Sequence, residues 1–165
     1  MAYQKLQTSA ALAVIPSATV MIPDVSTKIF SGTGDFSVAG TLTAVGASPL
    51  FTAKNIQAGA IVYNTTAQKA YYISSVTSDT ALSIDPSDAG GATDSYDIYM
   101  SATQGCILYV GTTGNLTVQM AADKDVPPNT VTELTYSNLP DSAFLPIQVV
   151  RVDNTTTASN IIALW

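Results

Sequence analysis

The side chains that carry most enzymatic chemistry are scarce in this chain. Its 165 residues include no histidine, which removes the serine–histidine and cysteine–histidine pairs that activate nucleophiles, and the commonest zinc ligand. Cys106 is the only cysteine, so no internal disulfide and no CxxC pair can form. Flanked by Ile107, Leu108 and Val110, it reads as a small buried hydrophobe rather than a reactive thiol. Glu133 is the only glutamate, so paired carboxylates for general acid–base work would have to be aspartates. Asp85, Asp88, Asp94 and Asp97 surround Gly90-Gly91 and have the composition of a calcium site. Their spacing fits no EF-hand loop, and acidic turn residues are the simpler reading. Gly32-Thr33-Gly34 and Gly111-Thr112-Thr113-Gly114 lack the GK[ST] ending and following helix of a phosphate loop, so they read as turns. The expectation is no enzyme, no cofactor and no metal site.

What remains is contact chemistry by apolar and aromatic groups. Tyr63, Tyr71, Tyr72, Tyr96 and Tyr99 are five of the chain's eight tyrosines. They suit a cross-strand aromatic cluster in a core, or a contact surface, or a stacking platform for sugars. The chain ends on its single Trp, Trp165, whose large apolar area calls for a seat in a core or a neighbouring subunit. Trp165, Ile161, Phe144, Tyr71 and Tyr72 are the candidate anchor and interface residues.

The elements that would position these residues are strands. In Phe144–Trp165, Leu145, Ile147 and Val149 alternate onto one face, with Arg151 next in the series. Gln148, Val150 and Val152 alternate onto the other. The polar run Asp153–Ser159 then leads into Ile161–Trp165, a second apolar strand, through a hairpin or a longer return loop. Both strands are expected to sit centrally in a sheet. At the other end, Ala10–Ile15 and Thr19–Ile22 are short apolar runs closed by Pro16 and Pro23. They read as an edge strand or an arm toward a neighbour, a turn and a second strand. Residues 31–101 change character. Short alternating segments around Val38, Leu42, Ile61, Tyr72, Leu82 and Ile98 are separated by turn-prone runs, a pattern of small barrels and sandwiches. Ala53–Gly59 could hold one helical turn. Beyond residue 102, Cys106–Val110 and Leu116–Ala121 flank a Gly-rich turn as a hairpin. Asp123–Asn129 reads as a stiff loop and Val131–Tyr136 as a strand. The expected fold is all-β: an outer antiparallel β-sandwich, jelly-roll-like, from 1–30 plus 102–165, with a small β-barrel from 31–101 inserted.

Composition agrees. Hydrophobic residues make up 47% and charged residues 11%, against about a quarter charged in ordinary domains. The 22 threonines favour strands and must supply much of the polar surface. The net charge is −6, and Lys5, Lys28, Lys54, Lys69, Lys124 and Arg151 are scattered singly. Without a basic stripe, nucleic-acid binding is not expected. No run reaches the length of a membrane span, and Ser9–Val14 lacks the flanks of a signal peptide. Neither membrane contact nor secretion is expected. The N-x-Thr sites at Asn64, Asn115 and Asn154 read as loop residues.

The strings GCILYVGTTGNLTVQM and LPDSAFLPIQVVRVDNTTTASNIIALW, with MAYQKLQTSAALAVIPS at the start, resemble a family of tailed-bacteriophage particle proteins. These are head spike base or capsid decoration proteins, also found in gene transfer agents. The middle, GAIVYNTTAQKAYYISSVTSDTALSIDPSDAGG, is similar in type to small β-barrel inserts of phage structural proteins. The resemblance implies a virion structural protein on the capsid exterior that decorates or cements the shell, or forms the base of a head spike. Its partners would be the major capsid protein, further copies of itself (a trimer, or alternatively a pentamer) and a spike or fibre protein. A tail, baseplate or fibre-connecting component shares every one of these features. A carbohydrate-binding module built on the tyrosines is the reading from a different class.

Overall fold

The computed structural model describes residues 8–46, 51–124 and 133–165. The fold is all-β with antiparallel pairing, and among the described residues the only helical pieces are two three-residue 3-10 turns, Val25–Thr27 and Ala121–Asp123. Ala53–Gly59 forms hydrogen-bonded turns, not a helix, and Asn55 takes a left-handed φ of 53° there. The chain divides into two compact units: Met1–Val14 with Gln104–Trp165, and Ile15–Thr103.

The inserted unit is a closed six-stranded barrel. Its strands are β2 (Lys28–Asp35), β3 (Thr41–Ala44), β4 (Ile61–Asn64), β5 (Lys69–Val76), β6 (Ala81–Asp85) and β7 (Asp94–Tyr99), in the closed order β2-β3-β6-β5-β4-β7. Closure removes sheet edges and, with so few strands, leaves an interior that side chains fill. Phe36, Leu42, Phe51, Val62, Tyr71, Ile73, Leu82, Ile84, Tyr96 and Ile98 form that interior. Space is tight enough that Gly34 must lack a side chain: a Cβ there would lie 2.3 Å from Leu42 Cδ1 and 2.9 Å from Tyr96 Cε1. The expected strand around Phe36–Val38 is a turn, with Val38 exposed.

The insert begins earlier than the expected residue 31. Residues 15–27 look like the N-terminal run, yet their backbone bonds tie them to the barrel unit. Met21 N–H donates to Tyr72 Oη (3.0 Å), Asp24 N–H to the Ser101 carbonyl (2.9 Å) and Thr103 N–H to the Ile22 carbonyl (2.8 Å). Thr19–Ile22 is not a strand; only Pro23 forms an isolated bridge, with Ala102.

The outer unit is one continuous six-stranded antiparallel sheet. Its strands are β1 (Ala11–Ala13), β8 (Cys106–Thr112), β9 (Gly114–Met120), β10 (Leu134–Leu139), β11 (Ala143–Val152) and β12 (Ser159–Leu164), in the order β1-β12-β8-β11-β9-β10. The separate second sheet that a jelly-roll sandwich requires is not found among the described residues. β1 is the expected edge strand, while β11 and β12 are internal and flank β8. Thus the final pair is joined by a return loop, not a hairpin. β8 and β9 are also not ladder neighbours, because β11 lies between them. The expected stiff loop and the start of the Val131 strand fall largely outside the described residues.

β11 changes partner along its length. Ala143, Phe144, Leu145 and Val149 pair with β8, whereas Val149, Arg151 and Val152 pair with β9. The register shifts between Val149 and Arg151. One extra residue reverses side-chain alternation and bends the strand. Val152, opposite Val118, therefore shares the face of Val149, opposite Met120, while Arg151, opposite Gln119, takes the other face. This corrects the simple alternation, which put Arg151 with Val149.

The turn between β8 and β9 depends on Gly114. Its φ is +156°, and a Cβ would lie 2.5 Å from the Ala158 backbone nitrogen. Backbone cannot move aside cheaply, so Gly114→Ala is expected to destabilise the outer unit by about 1–3 kcal/mol. Urea unfolding followed by fluorescence of Trp165, which reports on this unit alone, checks it; an unchanged midpoint would refute the close-approach argument.

Candidate interface

The two faces of the outer sheet are both apolar but are not equally covered. Cys106, Leu108 and Val110 of β8 share one face with Ile161 and Ala163 of β12, their cross-strand partners, and all five are buried. Here Cys106 donates to the Val149 carbonyl (3.3 Å), and burial pushes its thiol up to about 12, which makes it inert as a nucleophile.

The opposite face carries a cross-strand row. Register places Ala13 beside Ile162, Ile162 beside Tyr109 and Tyr109 beside Phe144. A second row runs from Ala11 to Leu164 to Ile107. None of these residues is fully buried, and Phe144 is 49% exposed. Asn160, Gly111, Pro146 and Gln148, which continue this face beside the two rows, are also uncharged, and the charged residue farther along β11, Arg151, is buried. A solvated antiparallel sheet ordinarily alternates apolar-in with polar-out. Here the cross-strand rows of β1, β12, β8 and β11 are apolar on both sides.

The candidate residues fall in different places. Phe144 lies at the exposed end of the row. Ile161 is buried on the other face, so it is a core residue and not an interface residue. Trp165 is half-buried, and its backbone closes the sheet against the N-terminal strand: its N–H donates to the Ala10 carbonyl (3.1 Å) and its carbonyl accepts from Ser9 N–H. Tyr71 is 0% exposed in the barrel interior, stacked on Phe36 at 5.8 Å between ring centroids, so it cannot be a surface contact. Burial, with the negative charges of Asp88 and Asp94, pushes its phenol up to about 12. Tyr72 is half-buried and holds Met21 N–H. Tyr96 is buried inside the barrel, and Tyr63 and Tyr99 are buried against each other at 5.9 Å. Four of the five tyrosines are therefore buried, Tyr71 and Tyr96 inside the barrel, and the five do not form an exposed sugar-stacking platform.

The aspartates around Gly90-Gly91 also disperse. Asp94 accepts from Asn64 Nδ2 (2.8 Å) and Gly91 N–H (2.8 Å). Asp97 pairs with Lys28 (2.9 Å) and Asp88 with Lys69 (3.1 Å). No cluster suited to a metal ion occurs among the described residues. Asn64 is fully buried on β4, so that sequon is structural and not a loop acceptor.

The polar centre that the sequence reading missed is Arg151. Its side chain is completely buried. Its Nε donates to Gln119 Oε1 (3.0 Å), Nη1 to Asp153 Oδ2 (2.9 Å) and Nη2 to Glu133 Oε1. Gln119 Nε2 donates in turn to the Asp123 carbonyl (2.7 Å). Asp153 also accepts the Thr155 N–H (2.8 Å) and hydroxyl (2.7 Å) through Oδ1. The recognisable signal is the chain's only Arg inside an apolar strand with an aspartate two residues on, because a buried guanidinium must be paired.

Compared with protein-family models, curated proteins and solved structures, the chain matches none.

Arg151→Met should cost the outer unit about 3–5 kcal/mol, since Asp153 and Glu133 would keep their charges without a cation. Burial alone would raise the Asp153 carboxyl, but the Thr155 hydrogen bonds and Arg151 outweigh it and hold the carboxyl below its usual value. A depressed folded value stabilises the fold above the unfolded carboxylate pKa of about 3.9. That contribution is lost as pH falls through the folded value. In urea titrations across this range, Asp153→Asn should flatten the acid loss of stability; an unaltered pH profile would remove Asp153 from the account.

Proposed function

We propose that the protein is a structural subunit of a tailed-phage particle that decorates or cements the capsid shell, or seats a head spike. The observation that carries the reading is the uncharged apolar face Ala13–Ile162–Tyr109–Phe144 on an otherwise completed sheet. Apolar faces left in water mark contact surfaces. Further support comes from the low charge, from the resemblance of both chain ends to head spike base and decoration proteins, and from tyrosines used as packing. The jelly-roll form of the outer unit belongs to the same resemblance and is part of the proposal, as are the trimer or pentamer and the contact with the major capsid protein. Burying a standard interface of roughly 1,600 Å² at about 25 cal/mol per Å² has a gross term of tens of kcal/mol. Most of it is offset by lost freedom on association, but repetition over symmetry-related sites makes a modest surplus count.

Removal of Ile161–Trp165 would be a poor test, because it deletes β12 from between β1 and β8 and so collapses the sheet. Phe144→Asp places one charge on the face without touching the buried side. It should leave the circular dichroism spectrum unchanged and lower occupancy on particles at least tenfold, with reduced particle survival under heat or osmotic shock. Wild-type occupancy of Phe144→Asp would overturn the face assignment. Density for the protein at the tail, with particle survival unaffected by its loss, would replace the shell role with the tail-component role.

A further inference from the structure

We infer that β1 is an exchangeable strand: its seat on the outer edge of β12 can be filled by the β1 of a second copy. The seat is defined in detail. Ala11, Leu12 and Ala13 pair with Leu164, Ala163 and Ile162. Backbone bonds extend the ladder at both ends, from Val14 N–H to the Ile161 carbonyl (2.9 Å) and from Trp165 N–H to the Ala10 carbonyl (3.1 Å). Its occupant is joined to it covalently only through the whole barrel unit, Ile15–Thr103. No direct loop links β1 to any other strand of its sheet.

Three features favour exchange. The strand is short and its Ala11 and Ala13 side chains are exposed, so the apolar contact it gives up on leaving the seat is confined to Leu12 and Val14. The connection is narrow: Pro16 ends the ladder because it has no N–H to donate, and at once Ser17 Oγ accepts from Thr19 N–H (3.3 Å) and Val20 N–H (3.1 Å) to begin the barrel unit. Residues 15 and 16 are then the hinge. The third feature is the competition itself. A seat filled from the same chain is favoured only by an effective concentration of about millimolar order for a flexible connection. Copies crowded on a symmetric assembly reach the same range. The contacts made in exchange are identical to those within one chain, which is why strand exchange is a low-cost route to oligomers. The crowding that favours exchange rests on the proposed assembly, whereas the seat and its register belong to the sheet alone.

Register supplies the test. Val14 and Ile161 form a hydrogen-bonded pair, so the next pair, Ala13 and Ile162, is non-hydrogen-bonded, with side chains close enough for a disulfide. Full-length chains carrying Ala13→Cys alone and Ile162→Cys alone are mixed, refolded together at high concentration and oxidised; buried Cys106 does not compete. Exchange gives a covalent two-chain band, lost on reduction. A mixture that stays single-chain, while a chain carrying both substitutions closes on itself, overturns the inference. So does native mass spectrometry of co-refolded isotopically labelled and unlabelled wild-type chains, if no mixed-label oligomer forms.

Discussion

The outer unit turns on one buried cation and the bulge that puts it there. Without the extra residue between Val149 and Arg151, β11 would continue its alternation and Arg151 would share the face of Val149, opposite the face on which it now lies. With it, Arg151 lies on the other face beside Gln119, fully buried, where an isolated guanidinium could not remain. Asp153, Glu133 and Gln119 make that position tolerable, and each belongs to a different part of the chain. Asp153 opens the return loop from β11 to β12, and Gln119 sits on β9 and holds Asp123. Loss of the cation would therefore loosen several connections at once, not one contact. A buried ion pair of this kind adds little net stability over an apolar substitute. Its effect is to make other registers of β11 costly, since a slip would strand the charge.

The return loop extends the same logic with hydroxyls. Thr156 Oγ1 accepts from Thr117 N–H (3.0 Å), Thr157 Oγ1 accepts from Asn115 N–H (2.9 Å), and the Asn115 carbonyl takes Thr157 N–H (2.9 Å). A threonine-rich loop thus continues the β9 ladder where no strand is present. In the barrel the opposite economy applies. Inside the closed barrel the hydroxyls of Tyr71 and Tyr96 are buried with no hydrogen-bond partner among the described residues. Each such group costs about 1–3 kcal/mol, which the ring packing against Phe36 must offset.

Much of this was legible in the sequence, and the failures have physical causes. Strands at Ile61, Tyr71, Leu82 and Ile98 showed through their alternation and turn residues because both are local. Strand order did not show. The Gly-rich run after β8 looks like a hairpin turn, yet β11, far along the chain, lies between β8 and β9. The start of the insert was missed because residues 15–27 continue the apolar, uncharged pattern of residues 8–14 with no break at Ile15. Hydrogen bonds to Tyr72, Ser101 and Thr103 assign them to the barrel unit. Tyr71 was read as a possible surface group because composition cannot tell a ring that fills a closed barrel from one that faces a partner. Phe144 and Ile161 were both candidate anchor or interface residues, and strand order and register, which alternation does not contain, put Phe144 at an exposed position and Ile161 in the core. Arg151 was hidden by the bulge, which no alternation count contains.

The distribution of charge ties the two units to the proposed role. The chain has six Lys and Arg, and one of them, Arg151, is spent inside the fold. Lys28 and Lys69 are already paired with aspartates on the barrel, and Lys54 lies over the Phe30 ring at 5.7 Å. Few cations are left to steer a partner or to repel a wrong one. On the outer sheet the row from Ala13 to Phe144 carries no charge, and Arg151 farther along β11 is buried in its ion pairs, so long-range electrostatics cannot set the specificity of the row. Discrimination must come from shape, with Phe144 and Tyr109 as the bulky part of a surface whose other members are small or aliphatic. Such a surface is selective only when a partner's relief matches it closely. That requirement is met most readily by a regular lattice or by another copy of the same chain, where one good fit is repeated at every site.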